Sequence, residues 1–393
     1  MQKTQPRPIT ILGSTGSVGS QTIDLVMRAP ENYHVVALSA FRNVKRLSEQ
    51  AHALKPDLVV IADESKYAEM KDAVADLKIE VAAGEKAVVE AAERESDWVL
   101  AGIVGIAGLP STLAAAKQGK KVAFANKETL VCAGPLMMDM VAKYGCKLLP
   151  VDSEHNAIYQ VFNATQRDKI RRLIITASGG PFRTKTREEM AVMTPEQAGK
   201  HPVWKMGAKI SIDSATLMNK SLEVIEAAFL FEMPSDKIDV LVHPQSVIHS
   251  MVEYVDGSVL AQLGTPDMRI PIGYCLAWPE RMETPAPQLD LIAKAQLTFE
   301  APDPEKFPTL RMGREAMRLG QTAPILLNSS NEVAVQAFLD NRIGFLDIEK
   351  VVGATLEHGP VVPLTGLDVL EETDKAARAF AVEKVAQLAA QRK

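Results

Sequence analysis

An α/β chain with a Rossmann-like N-terminal domain, a central α+β domain built on a mixed sheet, and a C-terminal helical domain is predicted by three observations on the 393-residue sequence. Short apolar, β-branched runs alternate with helical spacing through residue 150, which implies a parallel sheet covered on both faces. A strong hairpin signal, Asp256-Gly257, separates the β-rich segments 246–255 and 258–263. Beyond residue 308 only helical spacing remains.

Ile9-Thr-Ile-Leu12 is the first strand, and it runs into Gly13-Ser-Thr-Gly-Ser-Val-Gly19 before Ile23, Val26 and Met27 take up helical spacing. Strand, glycine turn and helix in that order suit a pyrophosphate, because the turn lets it approach the backbone and the helix N-terminus favours its charge. The spacing is GxxGxxG, a variant of the dinucleotide fingerprint. The second strand, Tyr33 to Ser39, ends in Ala40-Phe41-Arg42-Asn43. An NAD site usually has an acid near this point for the ribose 2′-hydroxyl, so Arg42 argues for a 2′-phosphate and NADP(H). Further strands are expected at Asp57–Ile61, Trp98–Ala101 and Lys121–Asn126, with a helix around residues 66–75. Asn126, Lys127 and Glu128 then lie at a strand's carboxyl end, where ligands of such sheets bind.

The apolar run Lys147-Leu-Leu-Pro-Val151 leads into Asp152-Ser-Glu154. Continued as a strand, it points Asp152 and Glu154 to one face and Ser153 to the other. With the distant Glu223 these acids offer oxygen ligands only, a set that suits Mg²⁺ or Mn²⁺ better than Zn²⁺. A second strand and glycine turn, Arg172–Ala177 and Ser178-Gly-Gly-Pro-Phe-Arg183, offers the Ser178 hydroxyl as a donor to an anion. The segment from Thr194 to Gly207 opens with a short capped helix, which His201-Pro-Val-Trp204 breaks, and Trp204 has two readings, a core aromatic or a lid over a ligand on a segment that hinges easily. A continuous helix over 216–231 is expected to set Asn219, Lys220 and Glu223 on one face. His243 and His249 are six apart without a third ligand nearby and read as structural. Residues 284–308 are proline-rich and read as an extended linker, followed by helices near 311–319, 324–341, 348–357 and 368–391. The expected domains are therefore 1–150, 151–277 with a flexible loop near 200–209, a linker at 278–303, and 304–393.

With 47% hydrophobic and 24% charged residues the chain reads as globular, and its net charge of -5 gives no footprint for nucleic acid. No apolar run is long enough to span a bilayer, and Met1 to Pro8 lacks the apolar core of a signal peptide, so a cytoplasmic protein is expected. Cys132, Cys146 and Cys275 lie far apart with no CxxC spacing, which suggests buried thiols.

Taken together, Leu12-Gly-Ser-Thr-Gly-Ser-Val-Gly19, Ala125-Asn-Lys-Glu128, Pro150-Val-Asp-Ser-Glu-His-Asn-Ala157, Ser178-Gly-Gly-Pro-Phe182, Asp213-Ser-Ala-Thr-Leu-Met-Asn-Lys220 and His243-Pro-Gln-Ser-Val-Ile-His-Ser250 closely resemble the 1-deoxy-D-xylulose 5-phosphate reductoisomerase family. The resemblance implies NADPH- and metal-dependent conversion of that phosphorylated sugar to 2-C-methyl-D-erythritol 4-phosphate in the non-mevalonate isoprenoid pathway, by a homodimer. It implies a metal on Asp152, Glu154 and Glu223, with Ser153 and Lys127 at the substrate's oxygen-bearing carbons. Ser178, His201, Ser214, Asn219 and Lys220 would form the phosphate pocket, under a lid carrying Trp204 and Met206. NADPH would lie against Thr15, Gly16, Ser17 and Val18, with Arg42 and Asn43 near its 2′-phosphate and Asn126, Glu128 and Gly207 lining the rest. Phe41 stands where similar proteins often have glycine.

Two rival readings use the same fold. One is another NADP-dependent dehydrogenase of the semialdehyde or homoserine type, whose acylating members need a nucleophilic cysteine beside a base. The other is a nucleotide sensor without catalysis, which a broken acid triad or a lost lid would mark.

Overall fold

The computed structural model describes residues 5–204 and 206–391. The chain divides into two compact units, Met1–Thr129 with Pro135–Asn156 and Asp267–Pro287, and Leu130–Gly134 with Ala157–Pro266 and Gln288–Lys393.

The first unit holds seven strands: β1 Arg7–Leu12, β2 Tyr33–Ala40, β3 Leu58–Ile61, β4 Glu80–Ala83, β5 Trp98–Ala101, β6 Lys121–Phe124 and β7 Lys147–Pro150. They pair in the order β4-β3-β2-β1-β5-β6-β7, all parallel. Every residue of β3 and of β5 is buried, as expected for strands covered on both faces. The order reverses between β1 and β5, and the crevice beyond such a switch point is where ligands of open α/β sheets bind. The helix Arg269–Ala277 joins this unit from far along the chain. The indole of Trp98 donates to Cys275 O at 3.0 Å, and Asn156 Nδ2 donates to Pro150 O at 2.8 Å with Cys275 Sγ beside it. No sequence periodicity announces that return.

The second unit is built on β8 Ile170–Ala177, β9 Ile238–Val242, β10 Ile248–Tyr254 and β11 Val259–Leu263. Their order is β11-β10-β8-β9; β8 and β9 are parallel and the other pairs antiparallel, so the mixed sheet and the hairpin are as expected. One core packs Leu173, Ile175 and Val252 of the sheet against Val224 and Ala227 of the helix Met218–Leu230. Another gathers Phe182, Ile212 and Leu217 with Phe338, Phe345 and Val385 of the C-terminal helical region. The helices there are Thr309–Leu319, Ala323–Leu339, Asp347–His358 and Leu367–Gln391. The proline-rich stretch before them is mostly irregular, with the short helix Leu291–Lys294 and a bridge from Glu300 to Val242.

Two local expectations are corrected. The strand does not continue through Glu154: β7 ends at Pro150 and a helix, Ser153–Val161, begins at once, so Asp152 sits in the turn and Glu154 in the first helical turn. Nor is 216–231 one helix. Ala208–Thr216 and Met218–Leu230 are separated by Leu217, which is left-handed at φ 60°. That conformation is costly for a leucine, and burial of its side chain in the second core opposes relaxation.

Candidate active site

At the switch point of the first unit, Gly13 turns with φ +76°, and a β-carbon there would lie 2.6 Å from Gly102 O. The turns after β1 and β5 can therefore approach this closely only without a side chain at residue 13. Gln50 stabilises the first turn, accepting from the Ser14 hydroxyl at 2.7 Å and donating to Ser14 O at 2.9 Å. Thr15, Gly16, Ser17 and Val18 remain partly or fully accessible where the helix Ser17–Met27 begins. These are the features of a pyrophosphate cradle: free helix N–H groups, a helix dipole and a close backbone. Arg42 and Asn43 are exposed beyond β2, and Asn43 Oδ1 caps the helix Val44–Leu54 by accepting from Arg46 N at 3.1 Å.

Asn126, expected to line the cofactor site, also braces the backbone around it. Its amide donates to Ile103 O and Gly105 O and its Oδ1 accepts from Thr129 N, so it fastens the loop after β5 to the start of the helix Lys127–Tyr144. Gln50 and this loop went unassigned in the sequence. Gly102-Ile-Val-Gly-Ile-Ala-Gly108 after an apolar strand was the available signal for the loop, whereas Gln50 carries none.

Asp152 lies two residues past β7 and Lys127 three past β6, in adjacent parallel strands with Phe124 opposite Pro150. The register brings the Lys127 ammonium onto Asp152 Oδ2 as an ion pair, with Lys127 buried and Asp152 half-buried. The Ser153 hydroxyl donates to Glu154 Oε2 at 2.6 Å. The oxygens of these two carboxylates are hard donors of the kind Mg²⁺ takes.

In the second unit, Glu223 is 1% exposed and accepts from Asn219 Nδ2 at 2.5 Å and Lys220 Nζ at 2.7 Å. Spacings of four and three on the helix Met218–Leu230 produce the shared face that the sequence predicted. Ser178 and His201 are also brought together, Oγ to Nε2, at 2.9 Å. His201 Nδ1 accepts from Val203 N and Trp204 N, so the ring proton sits on Nε2 and is directed at Ser178 Oγ. Ser178 Oγ also accepts from Gly180 N at 3.1 Å, which leaves its own proton for an anion. Gly180, at φ +68°, comes so close to the helix Ala208–Thr216 that a β-carbon would lie 2.5 Å from Ser214 O. From residue 211 to 228 every residue is buried except Ser214 and Asn219, which flank the Leu217 break. A hydroxyl and an amide kept accessible on an otherwise buried surface fit a pocket for a polar ligand.

The residues expected on a lid follow in the chain. Trp204 and Met206 are half-buried, the Trp204 ring lies 6.1 Å from that of His249, and Gly207 caps the helix Ala208–Thr216 with open space around it. His243 is structural: Nδ1 donates to Thr298 O at 2.9 Å and Nε2 accepts from Val247 N. All three cysteines are buried, and burial pushes the Cys146 thiol up to about 11 and raises that of Cys275 as well. Neither offers the thiolate that an acylating dehydrogenase requires.

Comparison with known proteins gives a consistent result. The family model described as 1-deoxy-D-xylulose 5-phosphate reductoisomerase matches residues 9–134, its C-terminal domain matches 148–231, and the DXP reductoisomerase C-terminal domain matches 263–380. The 1-deoxy-D-xylulose 5-phosphate reductoisomerase of Rhodospirillum centenum is 62% identical over 380 residues, 97% of this chain and 94% of that protein. The Zymomonas mobilis enzyme solved in complex with NADPH superposes with a TM-score of 0.93 at 54% identity, covering 97% of this chain and 99% of that one. A reductoisomerase solved with NADPH, fosmidomycin and magnesium also superposes with a TM-score of 0.93, at 42% identity and the same coverage. By sequence along nearly its whole length and by fold, the chain belongs to the 1-deoxy-D-xylulose 5-phosphate reductoisomerase family.

Proposed function

We propose that this protein converts 1-deoxy-D-xylulose 5-phosphate to 2-C-methyl-D-erythritol 4-phosphate with NADPH and Mg²⁺ or Mn²⁺, a step of non-mevalonate isoprenoid biosynthesis. The observation that supports the reading beyond family membership is the Ser178–His201 pair, on a turn whose Gly180 closes on the backbone of Ser214, in the same unit as the Asn219–Lys220–Glu223 face. Hydroxyl, imidazole, amide and ammonium donors of that kind suit a phosphate.

Asp152, Glu154 and Glu223 are assigned to the divalent cation. Their support is their oxygen-only chemistry; Lys127 pairs with Asp152 and Lys220 with Glu223. When bound, the cation supplies charge stabilisation for a retro-aldol and aldol rearrangement, and NADPH supplies the hydride. Lys127 and Ser153 bind the substrate's oxygen-bearing carbons. His201 carries its proton on Nε2 and orients Ser178 towards the phosphate. Trp204 and Met206, on a proline- and glycine-flanked loop, exclude water when phosphate is held. Thr15, Gly16, Ser17, Val18, Arg42, Asn43, Asn126, Glu128 and Gly207 are assigned to NADPH, and Asn126 also shapes the loop after β5.

The functional segments are 1–150 for NADPH, 151–277 for metal and substrate with the loop near 200–209, 278–303 as linker, and 304–393 as helical support. A cytoplasmic homodimer is proposed. Among the described residues no helix is long and apolar enough to cross a membrane. β11 is an edge strand that exposes Val259, Leu260 and Leu263, the pattern of a sheet that continues into a second copy.

The test is NADPH oxidation by purified protein supplied with 1-deoxy-D-xylulose 5-phosphate and Mg²⁺, repeated after chelation and with NADH. Metal-dependent oxidation that prefers NADPH is expected; none from folded, metal-loaded protein would sink the assignment.

A further inference from the structure

We propose that Phe41 is a positioning residue for the 2′-phosphate of the nicotinamide cofactor: its ring holds the Arg42 guanidinium in place, and through Arg42 it sharpens the choice of NADPH over NADH. The inference rests on the cofactor reading above.

A single exposed phenylalanine needs no explanation by itself. Phe41 is 61% exposed at the carboxyl end of β2, and the Arg42 guanidinium carbon lies 4.4 Å from its ring centroid. Neither residue hangs on a loose backbone. Pairing with the segment after β3 continues past Ala40, since Ala62 N donates to Ala40 O at 2.8 Å and Asp63 N to Phe41 O at 2.9 Å. On the other flank, Arg42 O accepts from Val44 N and Asn43 caps the next helix. The ring is therefore presented from a strand end held on both sides.

Arginine carries about 2 kcal/mol of rotamer entropy, part of which is lost when it grips a ligand. Here the guanidinium, on a side chain 64% exposed, has two neighbours that bias its position, the Phe41 face and Asp63 Oδ2 3.8 Å from its Nε. Asp63 Oδ1 is itself engaged by Ser65 N at 3.1 Å and Ser65 Oγ at 2.6 Å, so the carboxylate is fixed too. With Nε turned towards Asp63, the paired terminal nitrogens form the edge that binds a phosphate bidentately. A ribose 2′-hydroxyl gains far less from such a fork. Discrimination then depends on where the fork is held, and this chain holds it with an aromatic face.

The experiment is calorimetric titration of the full-length protein with NADPH and, separately, NADH, for wild type, Phe41→Leu, Phe41→Tyr, Arg42→Ala and Phe41→Leu/Arg42→Ala. Exposed cation–π pairs predict that Phe41→Leu raises the Kd for NADPH about two- to five-fold, leaves that for NADH nearly unchanged, and is rescued by Phe41→Tyr. In the Arg42→Ala background Phe41→Leu is expected to add nothing, because its effect runs through the missing guanidinium. Equal weakening of both cofactors would overturn the proposal in favour of a ring that contacts the shared adenosine, and an unchanged NADPH Kd would overturn it outright. A wild type that does not prefer NADPH would overturn the cofactor reading itself, whatever the variants do.

Discussion

Asp152 and Glu223 are both acids beside a lysine, yet they reach their lysines by different routes. Glu223 meets Lys220 and Asn219 within one helix, at spacings that 3.6 residues per turn makes neighbours. Asp152 meets Lys127 across 25 positions, because β6 and β7 pair in parallel with Phe124 opposite Pro150 and each residue follows its strand by two or three. The helix-borne cluster survives any change that keeps the helix. The strand-end cluster depends on sheet register, and the ladder beyond the strands, with Val151 N on Phe124 O at 2.9 Å, holds that register.

The largest effect is expected from neutralising each acid. Glu223→Gln and Asp152→Asn should each lower kcat by roughly 10²–10³-fold and raise the Mg²⁺ concentration needed for half activity. Steady-state rates over a metal titration check this; wild-type turnover with unchanged metal dependence in either variant removes that acid from the ligand set.

Next comes a contact that holds the helix leading to the helix-borne cluster. Asp213 is buried and accepts from Asn331 Nδ2 at 2.7 Å, with Lys209 Nζ at 3.0 Å. Asn331→Leu should cost about 1–3 kcal/mol, since a buried carboxylate loses a donor. Denaturant unfolding measures it, and an unchanged midpoint would mean that the bond contributes nothing net.

A smaller change is expected at Ser178. Ser178→Ala should raise KM for the phosphorylated substrate about ten-fold while kcat falls much less, because a hydrogen bond to a charged group is lost in both ground and transition states. A fall in kcat with constant KM would move Ser178 out of the phosphate pocket.

The smallest concerns the first unit's core. Burial raises the Cys146 thiol from 9.0 to about 11, so its proton is held more tightly in the folded state. Its contribution to stability is complete below pH 9 and is lost as pH rises through about 11. Cys146→Ala should therefore make the decline in melting temperature between pH 9 and 11 shallower; identical slopes would refute the assignment.

Much of this arrangement was legible before folding. Gly13 to Gly19 announces itself because strand, glycine turn and helix are consecutive, and Asn219, Lys220 and Glu223 because helical neighbours are close in sequence. The start of a helix at Ser153 was hidden, since Val151-Asp-Ser-Glu154 continues an apolar run and nothing local shows that sheet pairing ends. Leu217 was hidden for a stronger reason. Its left-handed backbone opposes local preference and persists with the side chain buried among Phe182, Phe338 and their neighbours.

Outside the turn at Asp152 and the break at Leu217, local chemistry alone determined the main strand and helix types, along with the oxygen-only acid set, the donor-rich segments around Ser178 and Asn219, and the arginine that argues for NADP. Those properties depend on residues a few positions apart, whose spacing the backbone period converts directly into a shared face. Tertiary structure decided that Lys127 pairs with Asp152, that Gly180 lets the Ser178 turn close on Ser214, and that Phe41 carries Arg42 on its ring. These contacts depend on strand register, core packing and side-chain rotamers, and each is selected by burial or pairing with partners that the local sequence does not contain.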